Sequence, residues 1–171
     1  IVVGDSLTGE TIKYDGPDFV IKFLLKYSNV CRLIPNLGFD HAFVNVVPID
    51  YLVKSMVWIS NQEQSLGKNY QLADPNPPTT KEFFELISIL SGLKKPFTFD
   101  FMRPLIVRSL QTKLGEMLTH IPKEAIVYFS HNARYSTLNT VQALRGSGIT
   151  IPRTKEYFSV LIEYLKEKMN G

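Results

Sequence analysis

The sequence predicts an α/β chain in which a few short strands are outnumbered by helices, and three observations carry that prediction. Residues 1–3 are Ile1-Val2-Val3, an apolar β-branched run that stops at the polar turn Gly4-Asp5-Ser6. Residues 42–47 alternate towards Pro48, as a second strand would. Most of the remaining chain repeats apolar residues at three- and four-residue spacing, the period of an amphipathic helix.

The elements follow in order. The opening strand has no strand before it, and because a lone strand leaves its backbone groups unpaired, its neighbours are expected upstream in a longer parent chain. Residues 5–16, rich in Gly, Thr and Ser, form a loop. Gly16-Pro17-Asp18 opens a helix to about residue 27, with Phe19, Val20, Phe23, Leu24 and Tyr27 as its apolar stripe. Residues 32–34 make a short strand and 42–47 a stronger one, after which Asp50 caps a helix over 51–60 that buries Leu52, Val53, Met56, Val57 and Ile59. Gly67 ends the connection, 69–73 read as a strand, and Asp74-Pro75-Asn76-Pro77-Pro78 is a rigid turn.

Thr79 followed by Glu82 is a capping-box signature for a helix to about residue 90, closed by Gly92. Helices are then expected over 105–118, with Pro104 in the first turn, over 123–129, over 137–144, and from Pro152 to the end. The last turns Tyr157, Val160, Leu161, Tyr164 and Leu165 inward and Lys166, Glu167 and Lys168 outward. Without repeats, low-complexity tracts or a linker, residues 1–171 form a single unit.

Composition narrows the partners. With 44% apolar and 20% charged residues the chain can bury a sizeable core. Its 19 Lys and Arg against 16 Asp and Glu are scattered, with no basic stripe to track phosphates, so nucleic acid is not an expected partner. The apolar runs are too short to span a bilayer, so no membrane role is expected. A lone Cys31 fits a reducing compartment, and a cytoplasmic location is the expectation.

Several motifs invite a chemical reading. Gly4-Asp5-Ser6-Leu7 after an apolar strand resembles the nucleophile turn of the GDSL-type hydrolases, with Ser6 as the esterase nucleophile. A serine hydroxyl needs a positioned base, and that family pairs it with a late Asp-x-x-His and a Gly-x-Asn-Asp, neither of which occurs around His41, His120, His131 or Gly67-Lys68-Asn69. Tyr164 and Lys168 form a Tyr-x-x-x-Lys, but a helix with a core face and a charged flank generates that spacing, so it is assigned to packing. Gly146-Ser147-Gly148 does not continue into a phosphate-binding loop, and the histidines lack metal-ligand spacing. No catalytic or metal-binding residue is therefore assigned.

Ile1-Val2-Val3-Gly4-Asp5-Ser6 with Thr8-Gly9-Glu10, then the run from Phe43 through Pro48-Ile49-Asp50-Tyr51 to Val53, then Tyr70-Gln71-Leu72-Ala73-Asp74-Pro75, together resemble the extended short-chain dehydrogenases/reductases, and more narrowly the thioester-reductase and male-sterility-like branch. Tyr128 to His131, Tyr135, Asn139-Thr140, Leu144 to Ile149 and Pro152 are similar to the tails of that branch. The resemblance covers nearly the whole chain.

The resemblance implies the C-terminal, mainly helical substrate-binding portion of a Rossmann-like NAD(P)-dependent oxidoreductase, whose glycine loop and catalytic Tyr-x-x-x-Lys would lie in an N-terminal dinucleotide-binding half absent from these residues. It further implies that Val2 and Val3 lie near the nicotinamide of NADP or NAD, and that Gly4, Asp5, Ser6 and Thr8 line the cleft for an acyl thioester, aldehyde or related substrate; His41 and Asn45 are assigned either to that cleft or, equally, to a polar role supporting the neighbouring loop. Asp50 receives a structural role as a helix cap. The expected partners are the N-terminal half and an acyl carrier protein, with self-association through the open strand edge. Neither hydride transfer nor stable cofactor binding is expected of these residues alone. A non-catalytic module that docks a carrier protein is the alternative from another class.

Overall fold

The computed structural model describes residues 1–12, 16–27, 40–96, 103–119 and 132–170. Two short parallel strands, β1 (Val2–Val3) and β2 (Val47–Pro48), pair with Val2 opposite Val47 and Val3 opposite Pro48. Val47 N also donates to Ile1 O over 2.9 Å. Both strands are brief for local reasons, since β1 runs into the Gly4 turn and Pro48 has no N–H to extend the ladder.

Seven α-helices surround this pair among the described residues: α1 (Pro17–Tyr27), α2 (Ile49–Ser60), α3 (Thr80–Leu90), α4 (Arg103–Leu110), α5 (Lys113–Thr119), α6 (Leu138–Ala143) and α7 (Thr154–Asn170). A 3-10 turn spans Glu63–Ser65. No helix among the described residues is long and apolar enough to cross a membrane. The architecture is thus mixed α/β with helices dominant. The expected strand at 32–34, the segment 123–129, Cys31, His120 and His131 lie outside the described residues.

The main core forms where α1, α3 and α7 converge on β1 and the strand-like segment before β2. Val20, Ile21 and Leu24 come from α1, Phe83, Phe84 and Ile87 from α3, and Tyr157, Phe158, Leu161, Ile162 and Leu165 from α7. Phe83 and Phe158 meet edge to face with centroids 4.9 Å apart, the arrangement that their ring quadrupoles favour. The Tyr157 hydroxyl donates to Val46 O over 3.3 Å, and burial raises its pKa so that the phenol keeps its proton. A smaller core gathers Val47, Tyr51, Ile59 and Leu144 under α2 and α6.

Helix starts follow the local chemistry. Thr79 caps α3 with the full reciprocal box: Glu82 N donates to Thr79 Oγ1 over 3.1 Å, and Thr79 N donates to Glu82 Oε2 over 2.9 Å. The expected continuous helix over 105–118 is two helices, α4 and α5. Thr112 interrupts it as a new start, its Oγ1 accepting from Gly115 N over 3.1 Å and its carbonyl from Glu116 N over 2.9 Å.

Four further expectations change. Residues 42–46 are extended but form only an isolated antiparallel bridge, Phe43 to Thr79, made by Val44 N donating to Pro78 O and Thr80 N to Ala42 O; the pairing stops there because Thr80 opens α3 on one side and Pro77 and Pro78 lack N–H groups on the other. Residues 69–73 are no strand; side chains of α6 take their carbonyls, Asn139 Nδ2 donating to Asn69 O and Thr140 Oγ1 to Gln71 O. The inward face of α2 is Tyr51, Ser55 and Ile59, while Val53, Met56 and Val57 are about half exposed. On α7, Tyr157, Leu161 and Leu165 face inward as expected, Phe158 and Ile162 are buried beside them, and Val160 and Tyr164 are only half-buried at the edge.

These burial assignments have direct consequences for stability. Phe158→Ala, which empties the centre of the main core, is expected to lower the unfolding free energy by about 3–5 kcal/mol in denaturant titration. Met56→Gln, on the exposed face of α2, should change it by no more than about 0.5 kcal/mol.

Candidate functional site

The site begins where β1 ends. Gly4 is buried and has no room for a side chain: a Cβ there would stand 2.7 Å from Leu161 Cδ2 and 2.8 Å from the carbonyl oxygens of Gly9 and Glu10. Gly9 adopts φ +72°, which favours glycine, and its Cβ would stand 2.7 Å from Tyr164 Cβ and 2.8 Å from Val160 O. Two glycines therefore let the loop lie directly on α7.

The same loop satisfies its own polar groups. Asp5 Oδ1 accepts from Leu7 N and Thr8 N at 2.8 and 3.0 Å, the Asx-turn arrangement. Asp5 N donates to Glu10 O over 3.0 Å and Gly9 N to Asp5 O over 2.9 Å, which closes the loop into a compact ring. Thr8 Oγ1 accepts from Glu10 N over 3.3 Å.

Ser6 faces the neighbouring helix. Its N–H donates to Asp50 Oδ1 and its hydroxyl to Asp50 Oδ2, both over 2.9 Å, while Lys54 Nζ lies 3.4 Å from Oδ2. Partial burial pushes the Asp50 carboxyl up, but the two bonds from Ser6 and the Lys54 ammonium outweigh it and hold the pKa below the ordinary value. Asp50 thus sits inside the first turn of α2 and ties the loop to it; Pro48 occupies the N-cap position, with no side-chain cap bond. This corrects the expected cap. With its N–H and its hydroxyl both given to Asp50, Ser6 is placed as an anchor of the loop.

Between this loop and the start of α2 lies a cleft of about 690 Å³. Val2, Val3, Gly4, Asp5 and Thr8 line it, and Glu10, Thr11 and Ile49 continue its wall. It opens at the carboxyl ends of two parallel strands, where open α/β sheets place their ligands. Five of the eight sequence-proposed site residues converge here.

The other three do not line it. Ser6 is turned to Asp50, and His41 is exposed away from the lining. Asn45 is buried and bonded on both sides to the backbone of Asp74, Nδ2 donating to Asp74 O and Oδ1 accepting from Asp74 N, each over 2.9 Å. Asn45 and Asp74 border a separate cleft of about 380 Å³, over which Arg134 stacks on Phe43 at 4.1 Å. Burial raises the Asp74 pKa against the opposing bond from Asn76 N. Asp50 as the loop's anchor and Asp74 as the partner of Asn45 are the structural roles that sequence reasoning missed. The only signal for the second was an Asp opening a Pro-rich turn.

Among the described residues no three His, Cys, Asp or Glu side chains converge to hold a metal ion. No family model matches the chain, and no curated protein sequence matches it. Among solved structures, the chain is similar to the terminal R domain from the myxalamid PKS-NRPS biosynthetic pathway, with a TM-score of 0.69 and 17% sequence identity. The match covers 98% of this chain and 42% of that one, so these residues share their fold with less than half of that domain.

Two substitutions test the geometry. Gly4→Ala is expected to cost about 1–3 kcal/mol, since neither Leu161 nor the loop carbonyls have space to retreat. Asp50→Asn should cost about 1–2 kcal/mol at neutral pH. Because the folded carboxyl titrates below its unfolded value, this contribution is complete above the ordinary carboxylate range and is lost as pH falls through the folded pKa. The stability gap between parent and Asp50→Asn should therefore be constant from about pH 6 to 8 and close below about pH 4.

Proposed function

We propose that these residues are the substrate-binding portion of an NAD(P)-dependent oxidoreductase of the extended short-chain dehydrogenase type, acting on an acyl thioester, aldehyde or related carbonyl substrate. The observation that carries this reading is the cleft at the carboxyl ends of β1 and β2, set in a fold shared with the terminal R domain of a PKS-NRPS pathway. The division of labour is physical: the dinucleotide fold supplies the redox chemistry, and this portion shapes the space that selects and orients the substrate.

In this reading Val2 and Val3 flank the nicotinamide end of NADP or NAD, and Gly4, Asp5 and Thr8 form the wall facing the substrate. Ser6 contributes by fixing that wall through Asp50. No dinucleotide-binding glycine loop occurs in the sequence, so the cofactor would be held mainly by an N-terminal Rossmann half. Among the described residues β1 has a single strand partner, and parallel pairs ordinarily belong to larger sheets covered on both faces. The edge at Val2 and the apolar outer face of α2 at Ile49, Val53, Met56 and Val57 would receive that half. An acyl carrier protein presenting the thioester is the corresponding external partner.

The reading is tested with the 171-residue chain, NADPH and a short acyl N-acetylcysteamine thioester. No NADPH oxidation is expected, and the thioester should shift the amide resonances of residues 2–12 and Ile49 in saturable fashion. Turnover by the chain alone would contradict the division of labour, and shifts confined elsewhere would contradict the cleft.

A further inference from the structure

A cleft of about 390 Å³ lies between the C-terminal part of α2, the 3-10 turn and α6, and it shares no residue with the strand-end cleft. Its volume is that of a small-molecule site. Two aromatic side chains, Trp58 and Tyr70, stand in its lining with two cations, Lys68 and Arg145, and no acidic side chain lines it. Among the described residues neither cation forms an ion pair.

The walls are fixed by bonds that leave binding groups available. Trp58 Nε1 donates to Ala143 O over 3.0 Å and Gln62 Nε2 to the same oxygen over 3.3 Å, which joins α2 to α6 and sets the indole's orientation. Asn139 Nδ2 holds Asn69 O over 2.9 Å, fixing the segment that carries Lys68 and Tyr70. The Gln142 amide in the lining has no side-chain hydrogen bond among the described residues.

We propose that this cleft binds a planar, hydrogen-bonding ring that carries a phosphate, the chemistry of a mononucleotide. The aromatic side chains offer a face for the ring, the Gln142 amide offers a donor and an acceptor, and Lys68 with Arg145 offer the charge that a phosphate requires. Ring and phosphate together account for the lining; either alone leaves part of it unused.

Trp58 is the single tryptophan of the sequence, so its fluorescence reports this cleft without a label. Adenosine 5′-monophosphate, adenosine and inorganic phosphate are titrated separately into the 171-residue chain. The monophosphate should change the emission saturably, and adenosine and phosphate should bind at least ~10-fold more weakly, a difference of about 1.4 kcal/mol. Lys68→Gln and Arg145→Gln, both at exposed positions and checked for intact folding by circular dichroism, should each weaken the monophosphate, and added salt should weaken it in the parent. No saturable response to the monophosphate, equal binding of phosphate or adenosine alone, or unchanged affinity in both variants would each overturn the proposal.

Discussion

The absence of a side chain at two positions governs how the strand-end loop is seated in this molecule. Gly4 and Gly9 bring a strand-end loop into van der Waals contact with α7, at Leu161, Val160 and Tyr164, with no space left for even one added carbon. Everything the loop presents to the neighbouring cleft depends on that approach. Were the loop displaced, Ser6 would lose its alignment with Asp50, and the carboxyl ends of β1 and β2 would face solvent without the wall formed by Asp5 and Thr8. Helix α7 in turn can offer a flat seat because its bulky residues Tyr157, Phe158 and Ile162 are committed to the core.

The loop is held from two directions by different forces. Packing against α7 is steric and insensitive to pH, whereas the Ser6–Asp50 link to α2 is charge-assisted and fails in acid. Between them the Asx turn at Asp5 pairs the backbone amides that a tight loop would otherwise leave exposed. A wall built this way is rigid before any substrate arrives, which suits a portion whose proposed role is to orient a carbonyl for chemistry supplied elsewhere.

Much of this was legible in the sequence, and the failures have specific causes. The capping box at Thr79 and Glu82, the Pro-led start of α1 and the final helix were readable because each depends on near neighbours in the chain. Val2, Val3, Gly4, Asp5 and Thr8, named from the family resemblance, line one cleft because they lie within a single strand and turn. The face of α2 was misassigned, since Val53, Met56 and Val57 form as good an apolar stripe as the one that is buried, and only the placement of β2 selects Tyr51, Ser55 and Ile59. For Asn45 the loop-supporting role was one of two readings and for Asp50 a structural role was expected, but neither partner could be named: Asp74 and Ser6 lie 29 and 44 residues away, beyond any local pattern. Thr112 was missed as a helix start because Gly115 and Glu116 continue a plausible helical spacing around it.

The claim on which the rest depends is that loop, strand end and α2 form one locked unit. Amide hydrogen exchange in the 171-residue chain measures this directly. If the account is right, the amides of Ser6, Leu7, Thr8 and Gly9 exchange slowly and open together with Val47 of the β1–β2 pair, as members of one cooperative unit. Fast, independent exchange at Ser6 and Gly9 while Val47 stays protected would show a free loop and contradict it.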